Sequence, residues 1–110
     1  MTNTTEFLAQ VFKIEELVQY QANAIVSKQI LKHNSGNLTF FAFDKDEALS
    51  KHSAPYDATV LILDGKVEIT LGEKTHTLQK GEFIIMPANI PHALKAIERF
   101  KMLLILVRPN

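Results

Sequence analysis

The chain has 110 residues, enough for one domain and not for two. Its 12 Lys and Arg balance 12 Asp and Glu, so no net charge draws it to nucleic acid or to an anionic membrane. Cysteine is absent, which excludes disulfides, thiolate metal sites and a thiol nucleophile, and suits a reducing, cytoplasmic setting.

In chain order, residues 1–6 lack the basic start and apolar core of a secretory signal. Residues 1–23 read as an N-terminal arm, with a short helical turn over 14–18 and an edge strand over 11–14. Strands follow at short spacing. Residues 24–31 alternate loosely, 34–37 make a turn of Asn34, Ser35, Gly36 and Asn37, and 38–43 return. The strongest local signal is Asp64-Gly65 between two alternating runs, 58–63 and 66–71. Such a dipeptide suits a two-residue hairpin. That hairpin would set Ile62 opposite Val67, Val60 opposite Ile69 and Ala58 opposite Leu71, all on the core face. Its other face carries Leu61 and Leu63, which need a covering segment or a partner.

Residues 75–78 form a short strand, and 83–86 and 102–107 are wholly apolar, a pattern of strands covered on both sides. The last run is also far too short to span a bilayer. His92, Leu94 and Ala96 share one face of another strand. Many short strands, frequent turns and almost no helix argue an all-β sandwich or barrel.

His52 and His92 stand in the two most patterned stretches. The second stretch spaces Gly81, Pro87, Asn89, His92 and Ala96; the first spaces Asp46, His52, Ala54, Ala58 and Gly65. These spacings resemble the two motifs of the cupin superfamily, over most of the chain from about residue 38 to 107. Gly81, Pro87, His92, His52 and Gly65 match. Asn89 and Asp46 stand in glycine slots, Ala54 in a histidine slot, Ala58 in a glutamate slot and Ala96 in an asparagine slot. Asparagine tolerates the left-handed backbone that such a glycine slot suggests. The resemblance implies a single domain over residues 1–110, with a cupin-like β-barrel over 24–107. That barrel is a jelly roll, or double-stranded β-helix, of two packed antiparallel sheets. The family's usual metal shell is three histidines and a glutamate. Carried over residue by residue, only His52 and His92 remain, so the first metal motif is degenerate.

Three functions from different classes follow. The first is a small-molecule-binding module, with an apolar barrel pocket lined by His52, His92, Ala54, Ala58, Phe40, Met86 and Met102. Its ligand would carry a carboxylate or phenolic group. The second, which the resemblance implies, is a metal-dependent enzyme of dioxygenase, decarboxylase or isomerase type using His52 and His92. The third is an assembly protein with no small ligand. The expected cofactor is none, or a weakly bound Zn, Ni, Fe or Mn, because a strong site wants three or four protein ligands. Asp57 reads as a turn carboxylate capping backbone donors, with the alternative of a displaced metal ligand. Tyr56 reads as a rim residue, with the alternative of an acid–base pair with His52; some metal-free sugar epimerases of the superfamily use such a pair. His33 and His76 belong to no motif. Expected partners are a small molecule and a second copy of the chain. The homodimer rests on Leu61, Leu63 and the pairs Phe7-Leu8 and Val11-Phe12, and small cupins often pair through such sheets. Neither nucleic acid nor a membrane is expected.

Overall fold

The computed structural model describes residues 4–110, so the first residues of the expected arm and domain, 1–3, lie outside the described residues. A 3-10 turn at Thr4–Phe7 and one helical turn, α1 (Ile14–Leu17), precede nine strands. These are β1 (Ile25–His33), β2 (Gly36–Phe43), β3 (Ala48–His52), β4 (Asp57–Asp64), β5 (Lys66–Leu71), β6 (Lys74–Gln79), β7 (Phe83–Met86), β8 (His92–Ala96) and β9 (Phe100–Val107). They form a five-stranded antiparallel sheet, ordered β1-β2-β9-β4-β7, and a four-stranded one, ordered β3-β8-β5-β6. From β3 to β9 the chain mostly switches sheet at each connection, which is the jelly-roll arrangement.

The core lies between the inner faces. On β4 it takes Ala58, Val60 and Ile62, on β5 Val67 and Ile69, on β8 Leu94 and Ala96, and on β9 Phe100 and Met102. Each set repeats every second residue, the period that sends alternate side chains to opposite faces. Far from the two histidines, Phe43 and Phe100 stack at 4.5 Å and fill that end.

The Asp64-Gly65 step corrects one expectation. It is a corner between sheets, not a hairpin turn: β4 pairs with β7 and β9, whereas β5 pairs with β6 and β8. The alternation correctly identified the inward residues, but they meet across the core and not along a ladder. Only Gly65 of the two takes a positive φ, and a Cβ there would collide with the carbonyl oxygen of Arg99. The two-residue hairpin turns are Asn34-Ser35, between β1 and β2, and Gly72-Glu73, between β5 and β6.

Two further expectations change. Strand β7 is wholly apolar yet is the edge of its sheet, with Phe83 61% and Ile85 56% exposed. A continuous apolar run does not by itself distinguish a buried strand from an edge strand whose outer face lacks cover. Residues 11–14 form no strand, and Val11 is fully exposed. The arm beyond them does cover the five-stranded sheet from outside. Val18 is buried against Phe40 and Ala42, with Leu17, Tyr20, Val26, Ile30, Leu63 and Leu103 around them. Polar contacts pin this arm. Lys101 Nζ donates to Glu15 O at 3.0 Å, and Tyr20 OH donates to Asp64 Oδ2 at 2.5 Å. Arg99 lies over the Tyr20 ring at 4.4 Å. Burial, and then the Asp64 carboxylate beside it, push the Tyr20 hydroxyl's pKa well up, so it stays a proton donor. The arm thus supplies the cover that Leu63 required.

Candidate functional site

The register of the smaller sheet brings the two histidines together. His52 ends β3, His92 begins β8, and they are direct cross-strand partners after a bulge between Leu49 and His52. Their ring centroids are 4.4 Å apart, with the planes at 67°. His92 is 7% exposed, and the exposed His52 lies beside it.

Each ring is held in the same way. His52 Nδ1 lies 2.8 Å from Ser50 O, and His92 Nδ1 lies 3.2 Å from Ile90 O. A backbone carbonyl accepts only, so each Nδ1 carries the proton and donates it. In the neutral rings both Nε2 atoms therefore keep a free lone pair. Burial lowers the pKa of His92, and the nearby His52 charge lowers it further against the opposing effect of the Ile90 carbonyl. A neutral, hydrogen-bond-accepting His92 is the result.

Two loops frame the pair. Asp57 Oδ1 accepts the Ala88 N–H at 2.9 Å, and Ala54 O accepts the Asn89 N–H at 2.8 Å. Asp57 is therefore the loop clasp that its turn position suggested. The motif positions explain the turn chemistry: Asp46, Gly65, Gly81 and Asn89 all have positive φ, between 69° and 88°. The aspartate and asparagine in glycine slots are residue types that reach this conformation at modest cost.

The other expected site residues divide. Ala58 faces Met86 on one neighbouring strand and Leu106 on the other, beneath the mouth, and is 3% exposed. Ala54 is half-buried in the loop. Met102 belongs to the same core but sits deeper, opposite Ile62. Phe40 is not brought to the site: β2 alternation turns it to the outer face, under Val18. Ala58 contributes a small, buried apolar side chain where the glutamate slot would place a carboxylate. His33 and His76 are exposed and apart from the pair.

At the mouth, Tyr56, read from the sequence as a rim residue, meets Arg108, which the sequence reading did not single out. Arg108 Nη2 donates to Tyr56 OH at 3.1 Å, and its Nε donates to Asn34 O at 3.1 Å. The signal was available: Leu104 and Leu106 face the core, and Arg108 is the next residue of that parity.

The residues present do not make the complete shell of a tight metal site. No group of three or more His, Cys, Asp or Glu able to hold an ion occurs among the described residues. Two imidazole nitrogens alone are fewer than the ligands such sites use. No helix among the described residues is long and apolar enough to cross a membrane.

A family model described as "Cupin domain" matches residues 39–107. A crystal structure of a conserved protein of unknown function from Streptococcus pyogenes is 38% identical. It superposes with a TM-score of 0.88 over 93% of this chain and 90% of that one. A cupin 2 conserved barrel domain protein from Leptotrichia buccalis is 44% identical, TM-score 0.86, over 88% of this chain and 47% of that one. An uncharacterised protein of Aquifex aeolicus is 25% identical over 103 residues, 92% of this chain and 85% of that protein.

Proposed function

The chain belongs to the cupin family, and from that premise we propose that it binds a small organic molecule at the barrel mouth through the His52–His92 pair. One observation carries the reading: two imidazoles 4.4 Å apart, each with Nδ1 committed to a backbone carbonyl, present two Nε2 acceptors side by side. An acceptor pair at the end of an apolar barrel suits a ligand with a protic group, a phenol or a carboxylic acid. The hydroxyl donates to one Nε2, and the apolar body lies on the mouth. Ala58, Met86 and Leu106 make the ground beneath it apolar. A few placed polar groups over an apolar surface are what small-molecule sites use for orientation.

The two imidazoles also favour a second reading, a metal-dependent enzyme. It needs ligands beyond His52 and His92, and Ala54 and Ala58 carry none, so the binding-module reading is preferred.

Calorimetry with 4-methylphenol is the test. Saturable binding to the wild-type chain, lost in a His52→Ala/His92→Ala double variant that circular dichroism shows to be folded, supports the reading. Absence of saturable binding, or equal binding by the double variant, rejects it.

A further inference from the structure

We infer that the ligand at this mouth carries a carboxylate, and that Arg108, positioned by Tyr56, is the residue that selects for it. The inference rests on the mouth being a small-molecule site.

Asp57 pairs with Val107 and Ala58 with Leu106, so Tyr56 and Arg108 each lie one residue beyond the end of this antiparallel ladder, at the same end of the barrel. They share the parity of Ala58 and Leu106, which face the core. His92 likewise begins the inward series His92, Leu94, Ala96 on the opposite sheet. The mouth therefore has two imidazoles on one sheet and a tyrosine–arginine pair on the other. Facing sheets lie about 10 Å apart, a distance that one small ring with polar groups at its two ends bridges between side chains.

Arg108 is also prepared for an anion. Its guanidinium is fixed by Asn34 O and Tyr56 OH, and its Cζ sits 5.2 Å from the centroid of the Tyr56 ring. Both of those partners are neutral. Arg99 has a carboxylate, Asp44, at 3.5 Å; Arg108 has none within hydrogen-bonding or ion-pairing reach among the described residues. A guanidinium held in place but without a counter-ion keeps its remaining N–H donors for a planar, two-oxygen acceptor. Because the site is exposed, water and salt weaken the pair, so selection and not tight binding is the expected effect.

The ligand class is then a small acid with a second protic group at the far end of a rigid, apolar body. The probes are 4-hydroxybenzoate and 4-methylphenol, which differ in the carboxylate. Wild-type protein should bind 4-hydroxybenzoate about tenfold more tightly, the scale of one charge-assisted hydrogen bond. Arg108→Gln should abolish that preference, read as the ratio of the two affinities. Arg108→Lys should restore part of it, and Tyr56→Phe should reduce it by freeing the guanidinium. Raising the salt should erode the preference in the wild type alone. If 4-methylphenol binds and the carboxylate adds nothing, or Arg108→Gln keeps the preference, the inference fails and the binding reading stands. If neither probe binds, both are overturned.

Discussion

Val18→Ala tests whether the N-terminal arm is a structural part of the barrel. Val18 is 3% exposed and packs on Phe40 and Ala42, which are 4% and 0% exposed. The substitution deletes two methyl groups from this contact. Transfer alone costs about 0.8 kcal/mol for each, and incomplete collapse of the space brings the total to about 2 kcal/mol. For a chain of this length the melting temperature should fall by about 8 °C, at about 4 °C for each kcal/mol. Urea denaturation followed by far-ultraviolet circular dichroism measures the free energy, and the slope should stay at the wild-type value. Phe40→Leu on its own, and combined with Val18→Ala, should show a coupling of at least about 0.5 kcal/mol, as residues in contact do. A loss below about 0.5 kcal/mol for Val18→Ala, the range of surface substitutions, would refute the packing role of the arm.

Three other outcomes are expected. His92 has a lowered pKa, so between that value and the ordinary histidine value near 6.5 the unfolded chain binds more protons than the folded one. Stability should therefore fall as pH drops through this window, and His92→Gln should flatten the fall; urea midpoints across the window decide, and an unchanged slope would count against the buried neutral ring. Zinc should bind weakly to untagged protein, and a chelator should move the melting temperature by less than about 2 °C. A stoichiometric ion surviving dialysis against the chelator would show that a ligand has been overlooked. Copies of the chain should pair through exposed apolar residues, with Phe83 and Ile85 on the unpaired edge of β7 as the leading surface. Sedimentation should show a dimer that Phe83→Lys/Ile85→Lys shifts to monomer, and a wild-type monomer at micromolar concentration would sink the proposal.

Period-two alternation was legible enough to place Ala58, Val60, Ile62, Val67, Ile69 and Leu71 on the core face, because one buried face imposes that pattern whichever strands pair. Pairing partners were not legible. Asp64-Gly65 has hairpin chemistry, yet the corner there is set by the tight approach of Gly65 to Arg99, a contact between residues far apart in the chain. Phe40 and Phe41 look alike in sequence, but alternation sends Phe41 to the barrel core and Phe40 beneath the arm. The two histidines were found by motif spacing, whereas their shared tautomer needed Ser50 O and Ile90 O in place. Arg108 lies beyond the last strand, where pattern reading stops, although parity carries one step further.

Long-range ¹H–¹⁵N spectra of the histidine rings, recorded above the His92 titration with and without 4-methylphenol, test the binding proposal most directly. Both His52 and His92 should show a protonated Nδ1 and an unprotonated Nε2, since each Nδ1 donates to a carbonyl. The phenol should move one or both Nε2 resonances saturably and leave those of His33 and His76 in place. Nε2-protonated tautomers, or Nε2 resonances indifferent to the phenol, would contradict the imidazole pair as the binding site.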